Sequence, residues 1–237
     1  MTSPVASAQW LIIESAGSTQ DVAAQQLAAG DQFGAVLALD QVSGRGRLDR
    51  KWLSTPGESL AVSFLFRAYA DHPQAHLIGM ATAVAAAGAL NCQLQWPNDL
   101  VAEGRKLGGI LTEMGTDSRG RKVPIVGVGV NLNQTAFPPE IAGRATSMNL
   151  VHGGHYDAVD VAKRIAARLE LLPEPNHWSD LEIVWDVFDS TPGKRYRLQD
   201  GSEAVAIGIG PNGQLLCSVE GDPRTVFAAD AILGGMG

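Results

Sequence analysis

The sequence predicts an α/β domain followed by a small antiparallel β unit, and three observations lead there. Over roughly the first 190 residues, short apolar runs of strand texture alternate with Ala-rich or amphipathic stretches at helical spacing. After Thr191-Pro192-Gly193 the pattern switches to four short alternating segments, split by Asp200-Gly201, Asn212-Gly213 and Gly221-Asp222. The chain has 237 residues, 45% of them hydrophobic and 18% charged, enough apolar material for one sizeable core and an appendage.

In chain order, residues 10–14 read as a strand. Ser18-Thr19-Gln20-Asp21 then opens an Ala- and Gln-rich helix, because a hydroxyl at Ser18 or Thr19 can accept a hydrogen bond from a first-turn N–H. Gly30 stops that helix. Residues 35–39 form a strand, and 42–57, with glycines, a proline and charges but no apolar period, form a long loop. Leu60, Val62, Phe64 and Phe66 share one face of a strand over 60–67, and an Ala-rich buried helix follows over 73–90. Short strands at 93–96 and 100–102 lead through a Glu103-Gly104 turn to a returning arm at 107–114. A Val-rich strand covers 124–133, and Val161, Ile165, Leu169 and Leu172 place an amphipathic helix at 160–172, with another helix at 178–188. Strands at 195–198, 203–209, 214–219 and 224–227 make a small barrel or sheet. The predicted domains are 1–190 and 191–237.

Charge and composition exclude several functions. A net charge of -7 argues against a bulk nucleic-acid binder, which needs a basic face. The first cation is Arg45, so no signal-peptide n-region is present, and the longest nearly apolar run, 77–90, is too short to span a bilayer. Cys92 and Cys217, far apart, give neither a disulfide framework nor metal spacing and read as buried thiols of a reducing compartment. His152 and His155 flank two glycines, a loop rather than a preset metal site. The expectation is a cytoplasmic protein that engages neither nucleic acid nor membrane.

Three segments carry chemistry. In Gly44-Arg45-Gly46-Arg47-Leu48-Asp49-Arg50-Lys51-Trp52, four cations fall within seven residues of an acidic chain. Gly44 and Gly46 let backbone N–H groups approach a ligand, the arginines suit phosphate oxygens, and Trp52 offers a stacking face. The run lacks the sixth-position glycine of a dinucleotide fingerprint, and the chain has no P-loop. In Trp96-Pro97-Asn98-Asp99 and Gly104-Arg105-Lys106-Leu107-Gly108-Gly109, Pro97 makes a rigid turn that presents Asn98 and Asp99. Lys106 begins an apolar strand, from which its ammonium can enter a pocket between hairpin arms, and Gly108-Gly109 leaves room for a ligand on bare backbone. In Gly127-Val128-Gly129-Val130-Asn131, two glycines again invite close approach, and Asn131 has both donor and acceptor for an adenine edge.

Together with Ser18-Thr19 and Gln41, these segments resemble, in order and spacing, the biotin protein ligases, over about residues 10–235. The resemblance implies a mixed-sheet α/β (α+β) catalytic domain of the biotin/lipoate ligase type with a C-terminal SH3-like barrel. It implies ATP-dependent activation of biotin to an acyl-adenylate and transfer to a lysine of a biotin carboxyl carrier domain, with Mg²⁺ assisting. By position, Ser18, Thr19 and Gln41 would bind the biotin head, with Gly44, Arg45, Gly46, Arg47, Lys106 and Gly109 around biotin. Lys106, Arg45 and Arg47 would be catalytic, and Arg47 would retain the adenylate. Arg47, Arg50, Trp52, Asn98, Lys106 and Asn131 would contact the nucleotide, and Asp99 would help place Mg²⁺. A monomer or weak homodimer is implied.

The chain departs from the family pattern at Gln20, where Asn is usual, at Gln95, where Lys is common, and at Asp49, where Gly is common and a carboxylate can pair with Arg47 or Arg50. With the first strand near residue 10, no helix-turn-helix domain fits ahead of it. The alternatives are a lipoate or octanoate ligase of related fold and a non-enzymatic biotin-binding protein. Residues 43–50, rich in like charges and glycine, are expected to be mobile until a ligand orders them.

Overall fold

The computed structural model describes residues 8–227 and 231–232. Strand β1 (Trp10–Ala16) leads into helix α1 (Thr19–Ala29), then β2 (Ala35–Gln41) and a hairpin of β3 (Gly44–Arg45) and β4 (Lys51–Trp52). Next come β5 (Ser59–Leu65), α2 (Ala75–Leu90), β6 (Gln93–Gln95), β7 (Asp99–Ala102), β8 (Arg105–Thr116) and β9 (Lys122–Asn131). Helices α3 (Met148–His152), α4 (Ala158–Leu169) and α5 (Glu182–Phe188) precede β10 (Arg195–Leu198), β11 (Glu203–Ile209), β12 (Leu215–Val219), β13 (Asp222–Val226) and β14 (Ala231–Ile232).

Local chemistry sets these boundaries. Ser18 caps α1, accepting from the Gln20 N–H, and Gly30 ends it at φ 88. Asp157 caps α4 by accepting from the Asp160 N–H, so that helix starts ahead of the apolar period that revealed it and ends at Leu169 rather than 172. The segment 178–188 is not one helix but a 3-10 turn at Trp178–Asp180 followed by α5. The predicted loop at 42–57 contains the β3–β4 hairpin, closed by a 3-10 turn at Arg47–Asp49 in which Leu48 sits at φ 53. Strands of two residues show no period in a sequence, which is why this pairing was not foreseen. The five-residue α3 and the two-residue β14 escaped for the same reason.

The first sheet runs β1-β2-β5-β9-β8-β7-β6, parallel only between β1 and β2. Helices cover it on both sides. On one face Leu37, Val62, Phe64 and Val128 join α2, α4 and the Trp178–Trp185 pair in the main core. On the other, α1 lays Ala23 and Leu27 over Val36, Leu65 and Ile125. Burial of both faces explains why β5 is apolar or small throughout rather than alternating with charges. The second sheet runs β13-β12-β11-β10-β14, all antiparallel. Its core of Tyr196, Leu198, Leu215 and Cys217 contains one residue from the first sheet's side, Trp96.

Phe64 is fully buried and meets Trp10 edge to face at 5.8 Å. Phe64→Ala is expected to cost about 3–5 kcal/mol of unfolding free energy, transfer plus cavity. Urea denaturation checks this, and a loss under about 1 kcal/mol would mean the site repacks.

Candidate active site

The register of the first sheet creates a bare floor on the α1 face. Under α1 the facing side chains are large, Leu65 and Ile125. Two residues further along they shrink: Ser63 pairs with Gly127, and Gly127 with Leu111. The next row across the sheet is Ala61, Gly129, Gly109 and Asp99. A Cβ at Gly129 would come within 2.7 Å of the Trp52 ring, and one at Gly127 within 3.2 Å of Gln20, so the glycines hold these two side chains directly on backbone. At Gly109 a Cβ would make only ordinary contact, 3.7 Å from the Lys106 ammonium.

The start of α1 and the end of β2 close one side of this floor. The Gln41 carbonyl Oε1 accepts from the Thr19 N–H at 2.9 Å and the Thr19 hydroxyl at 3.2 Å. Ser63 in turn donates to Thr19 Oγ1 at 2.8 Å, and all three side chains are buried. Gly44 is required here, because a Cβ would meet Gln41 Nε2 at 2.7 Å and the Trp52 carbonyl at 2.8 Å. Gln20 donates to the Leu111 carbonyl at 3.0 Å, while its buried Oε1 has no protein partner.

The β3–β4 hairpin covers the floor and divides its arginines. Arg45 forks onto Asp21 with two bonds of 2.7 Å and reaches Glu113 at 3.3 Å. The bonds to Asp21 raise the Arg45 pKa further above its ordinary value, and the same guanidinium lowers that of Asp21. Arg47 points inward. Burial works against its charge, Asp99 supports it, and Arg50 repels it. Its buried Nη1 has no protein partner, and neither has Trp52 Nε1. Arg50 is exposed, and its carbonyl closes the turn by accepting from the Gly46 N–H at 2.6 Å. The pairing expected of the Asp49 carboxylate falls outside the described residues.

Lys106 reaches the floor through a β-bulge. Leu100 pairs with Gly108 but Val101 with Lys106, leaving Leu107 as an extra residue. Strict alternation would put Lys106 on the opposite face from Gly109. The bulge sends Leu107 into the main core and turns Lys106 toward Asp99, at 2.5 Å. The lysine backbone is pinned as well: its N–H donates to the Arg144 carbonyl, and its carbonyl accepts from Thr146. Asn98 Nδ2 donates to the Ile110 carbonyl at 2.7 Å, and Ile110 N–H returns a bond to the Asn98 carbonyl at 2.9 Å. Asn131, at the end of β9, donates to the Thr146 carbonyl at 2.9 Å, so part of its amide is structural. Beside it, Thr146 Oγ1 and Gln134 Oε1 are buried without a protein partner. Sequence reasoning missed these two, and also Asp21, Ser63 and Glu113. Only Asp21, an acid in a helix's first turn, and Glu113, at the end of the second motif, gave a visible signal.

The chain matches the model of the biotin/lipoate A/B protein ligase family over residues 13–133. It belongs to that family. Among relatives of this family member, the bifunctional ligase/repressor BirA of Bacillus spizizenii is 29% identical over 213 residues, 84% of this chain and 66% of its own length. The chain thus spans about two thirds of that relative's length. The biotin--[acetyl-CoA-carboxylase] ligase of Mycobacterium tuberculosis is 29% identical over 239 residues, covering 93% of this chain and 87% of that protein. In structure, the apo biotin protein ligase of Aquifex aeolicus superposes with a TM-score of 0.70 at 20% identity, covering 95% of this chain and 98% of that one. The same Aquifex enzyme in complex with biotin and ATP gives 0.68 at 24% identity, covering 94% and 97%. The mixed sheet with its C-terminal antiparallel sheet is the family fold, as the sequence predicted.

The Arg45–Asp21 pair gives a pH signature. A depressed folded pKa means its stabilisation is full above the unfolded aspartate value of about 4 and is lost as pH falls through the folded value below that. Asp21→Asn is therefore expected to loosen the hairpin at pH 7, with wild type and variant converging only as pH falls below the ordinary aspartate range. Hydrogen exchange of the 44–52 amides checks this, and a difference that persists at low pH would contradict it.

Proposed function

We propose that the chain is an ATP-dependent biotin protein ligase that forms biotinoyl-5'-AMP and passes biotin to a lysine of a biotin carboxyl carrier domain. The carrying observation is Lys106 held by Asp99 at 2.5 Å at the corner of a glycine floor, with the Arg47 Nη1 buried without a protein partner, beside the Thr19–Gln41–Ser63 network. Relatives named for biotin ligation support the reading, as does a like-folded enzyme solved with biotin and ATP.

The geometry suits this chemistry. Ser18, Thr19 and Gln41 present fixed polar atoms to the compact biotin head. The tail then runs toward Gly109, where a Cβ would make only ordinary contact, between the Gln20 and Trp52 side chains that pack on Gly127 and Gly129. The biotin carboxylate attacks the α-phosphorus of ATP and pyrophosphate leaves, so two anions must be held together. Lys106 and Arg47 offset their repulsion from preorganised positions. Trp52 supplies an aromatic face toward adenine, and Asn131 and Asn98 frame the nucleotide; Arg50 lies at the hairpin rim toward the phosphates. Arg45 moves onto the ligand by exchanging its carboxylate partners. A neutral acceptor lysine then attacks the acyl carbon of the mixed anhydride and AMP leaves. The hairpin shields the anhydride from water in between.

Among the described residues, no group of three or more His, Cys, Asp and Glu side chains comes together. Asp99, a single carboxylate paired with Lys106, would hold a magnesium ion only together with the triphosphate oxygens, and the ion would supply charge neutralisation there. We also place the division of the chain near residue 190, with 1–190 as the catalytic domain and 191–237 as the C-terminal one. No described helix is long and apolar enough to cross a membrane. We propose a cytoplasmic setting, which fits the buried free thiols Cys92 and Cys217.

Biotin-dependent pyrophosphate–ATP exchange tests the activity, with lipoate as the competing acid. Exchange with lipoate but not biotin would replace this reading by that of a lipoate ligase, and binding of biotin with no exchange by that of a carrier. Lys106→Ala is expected to slow exchange roughly 10²–10³-fold with the fold intact. Near-normal exchange in that variant would remove Lys106 from the mechanism.

Apart from Trp52, which packs on Gly129, the hairpin and its flanks have few apolar contacts: Val42, Leu48 and Leu53 are all exposed. Charge-assisted bonds to an anionic ligand, about 1.5–3 kcal/mol each, are then expected to order it. Trypsin reads this at Arg45, Arg47, Arg50 and Lys51. Cleavage there is expected to slow with biotin and ATP together, and an unchanged rate would contradict a ligand-ordered lid.

A further inference from the structure

Trp96 opens the turn that carries Asn98 and Asp99, yet its ring lies in the core of the second sheet. Three bonds fix it there. Its N–H donates to Thr191 Oγ1 at 2.9 Å, its indole Nε1 donates to the Gly213 carbonyl at 2.9 Å, and its carbonyl accepts from the Tyr196 hydroxyl at 3.1 Å. Trp96 and Tyr196 also pack edge to face at 5.4 Å, and Thr191, Trp96 and Tyr196 are almost fully buried. Burial keeps the Tyr196 hydroxyl protonated well above its ordinary range, and the Gln95 side chain bonds the same oxygen. The residue at one of the departures from the family pattern, Gln95, thus belongs to this contact.

From Trp96 the chain is short and stiff to the reacting corner. Pro97 restricts the backbone, Asn98 is locked to Ile110 in both directions, and Asp99 grips Lys106. Small rotations of Trp96 would therefore reach the Lys106 ammonium within three residues.

We infer that Thr191 and Tyr196 are positioning residues for adenylation: the C-terminal sheet clamps Trp96 and so sets where Asp99 holds Lys106. This rests on the ligase reading above and adds to it the route by which the second sheet acts. A general packing role would disturb both half-reactions alike. A positioning role directed at Lys106 would slow formation of the adenylate more than its use.

The test uses the full chain. Thr191→Val keeps shape and removes the acceptor of the Trp96 N–H, Thr191→Ser restores a hydroxyl, and Tyr196→Phe removes only the bond to the Trp96 carbonyl. Biotin-dependent pyrophosphate exchange gives kcat and KM for the first step, and transfer from chemically made biotinoyl-AMP to a carrier domain gives the second. Thr191→Val and Tyr196→Phe are expected to lower kcat for exchange about tenfold, as a slight misplacement of reacting groups does, with KM for biotin within about twofold and transfer little changed. Thr191→Ser should recover most of the loss. Ile207→Thr, an exposed site on the same sheet, should leave both steps unchanged. Unchanged exchange in both Thr191→Val and Tyr196→Phe overturns the inference, as does an equal loss in the two half-reactions. Absence of exchange in the wild-type chain would instead overturn the ligase reading.

Discussion

On the proposed ligase reading an ammonium has to be aimed before two anions arrive, and the Asp99 carboxylate holds Lys106 at 2.5 Å. Much of the surrounding structure answers to that pair. The bulge at Leu107 turns the lysine onto the α1 face, and the strap at 144–146 fixes its backbone. The Asn98–Ile110 bonds fix the turn that carries the carboxylate. Arg47, buried against the cost of its own desolvation, gains support from the same carboxylate. Placing a second cation near an existing ion pair raises the local positive potential there.

The floor beneath them follows from an equally simple constraint. A sheet packed on both faces ordinarily carries large apolar residues throughout, as Leu65 and Ile125 do under α1. Where α1 begins, its covering side chains give way to Thr19 and Gln20, and the sheet residues shrink to Ser63, Ala61, Gly127 and Gly129. Shape and polarity change along the same strands, so one fold provides a hydrophobic anchor at one end and a floor of small and polar residues at the other. The hairpin above, anchored by Trp52 and otherwise poor in apolar contacts, is rich in charge.

Part of this was legible in the sequence. Strand β5 and the arm over β8 showed in their apolar patterns, and the glycine pairs at 108–109 and 127/129 announced close approach to backbone. Lys106, Arg47 and Asp99 stood out in their local motifs, and the structure pairs two of them, Lys106 and Asp99. What stayed hidden depends on contacts between distant residues. The face that Lys106 occupies is set by a bulge defined only by the partner strand. Arg45 finds Asp21 across 24 positions, so its engagement by carboxylates is invisible in a basic run. Trp96 read as the start of a rigid turn, whereas its ring completes the core of a sheet formed about a hundred residues later.

The most direct test is intact-mass measurement of a biotin carboxyl carrier domain incubated with the full chain, biotin, ATP and Mg²⁺. The account predicts addition of one biotinyl group, dependent on both biotin and ATP, absent when the acceptor lysine is replaced, and suppressed by Lys106→Ala. A carrier that stays unmodified while the chain is folded and saturated with both substrates would contradict it, as would a carrier modified equally well by the Lys106→Ala chain.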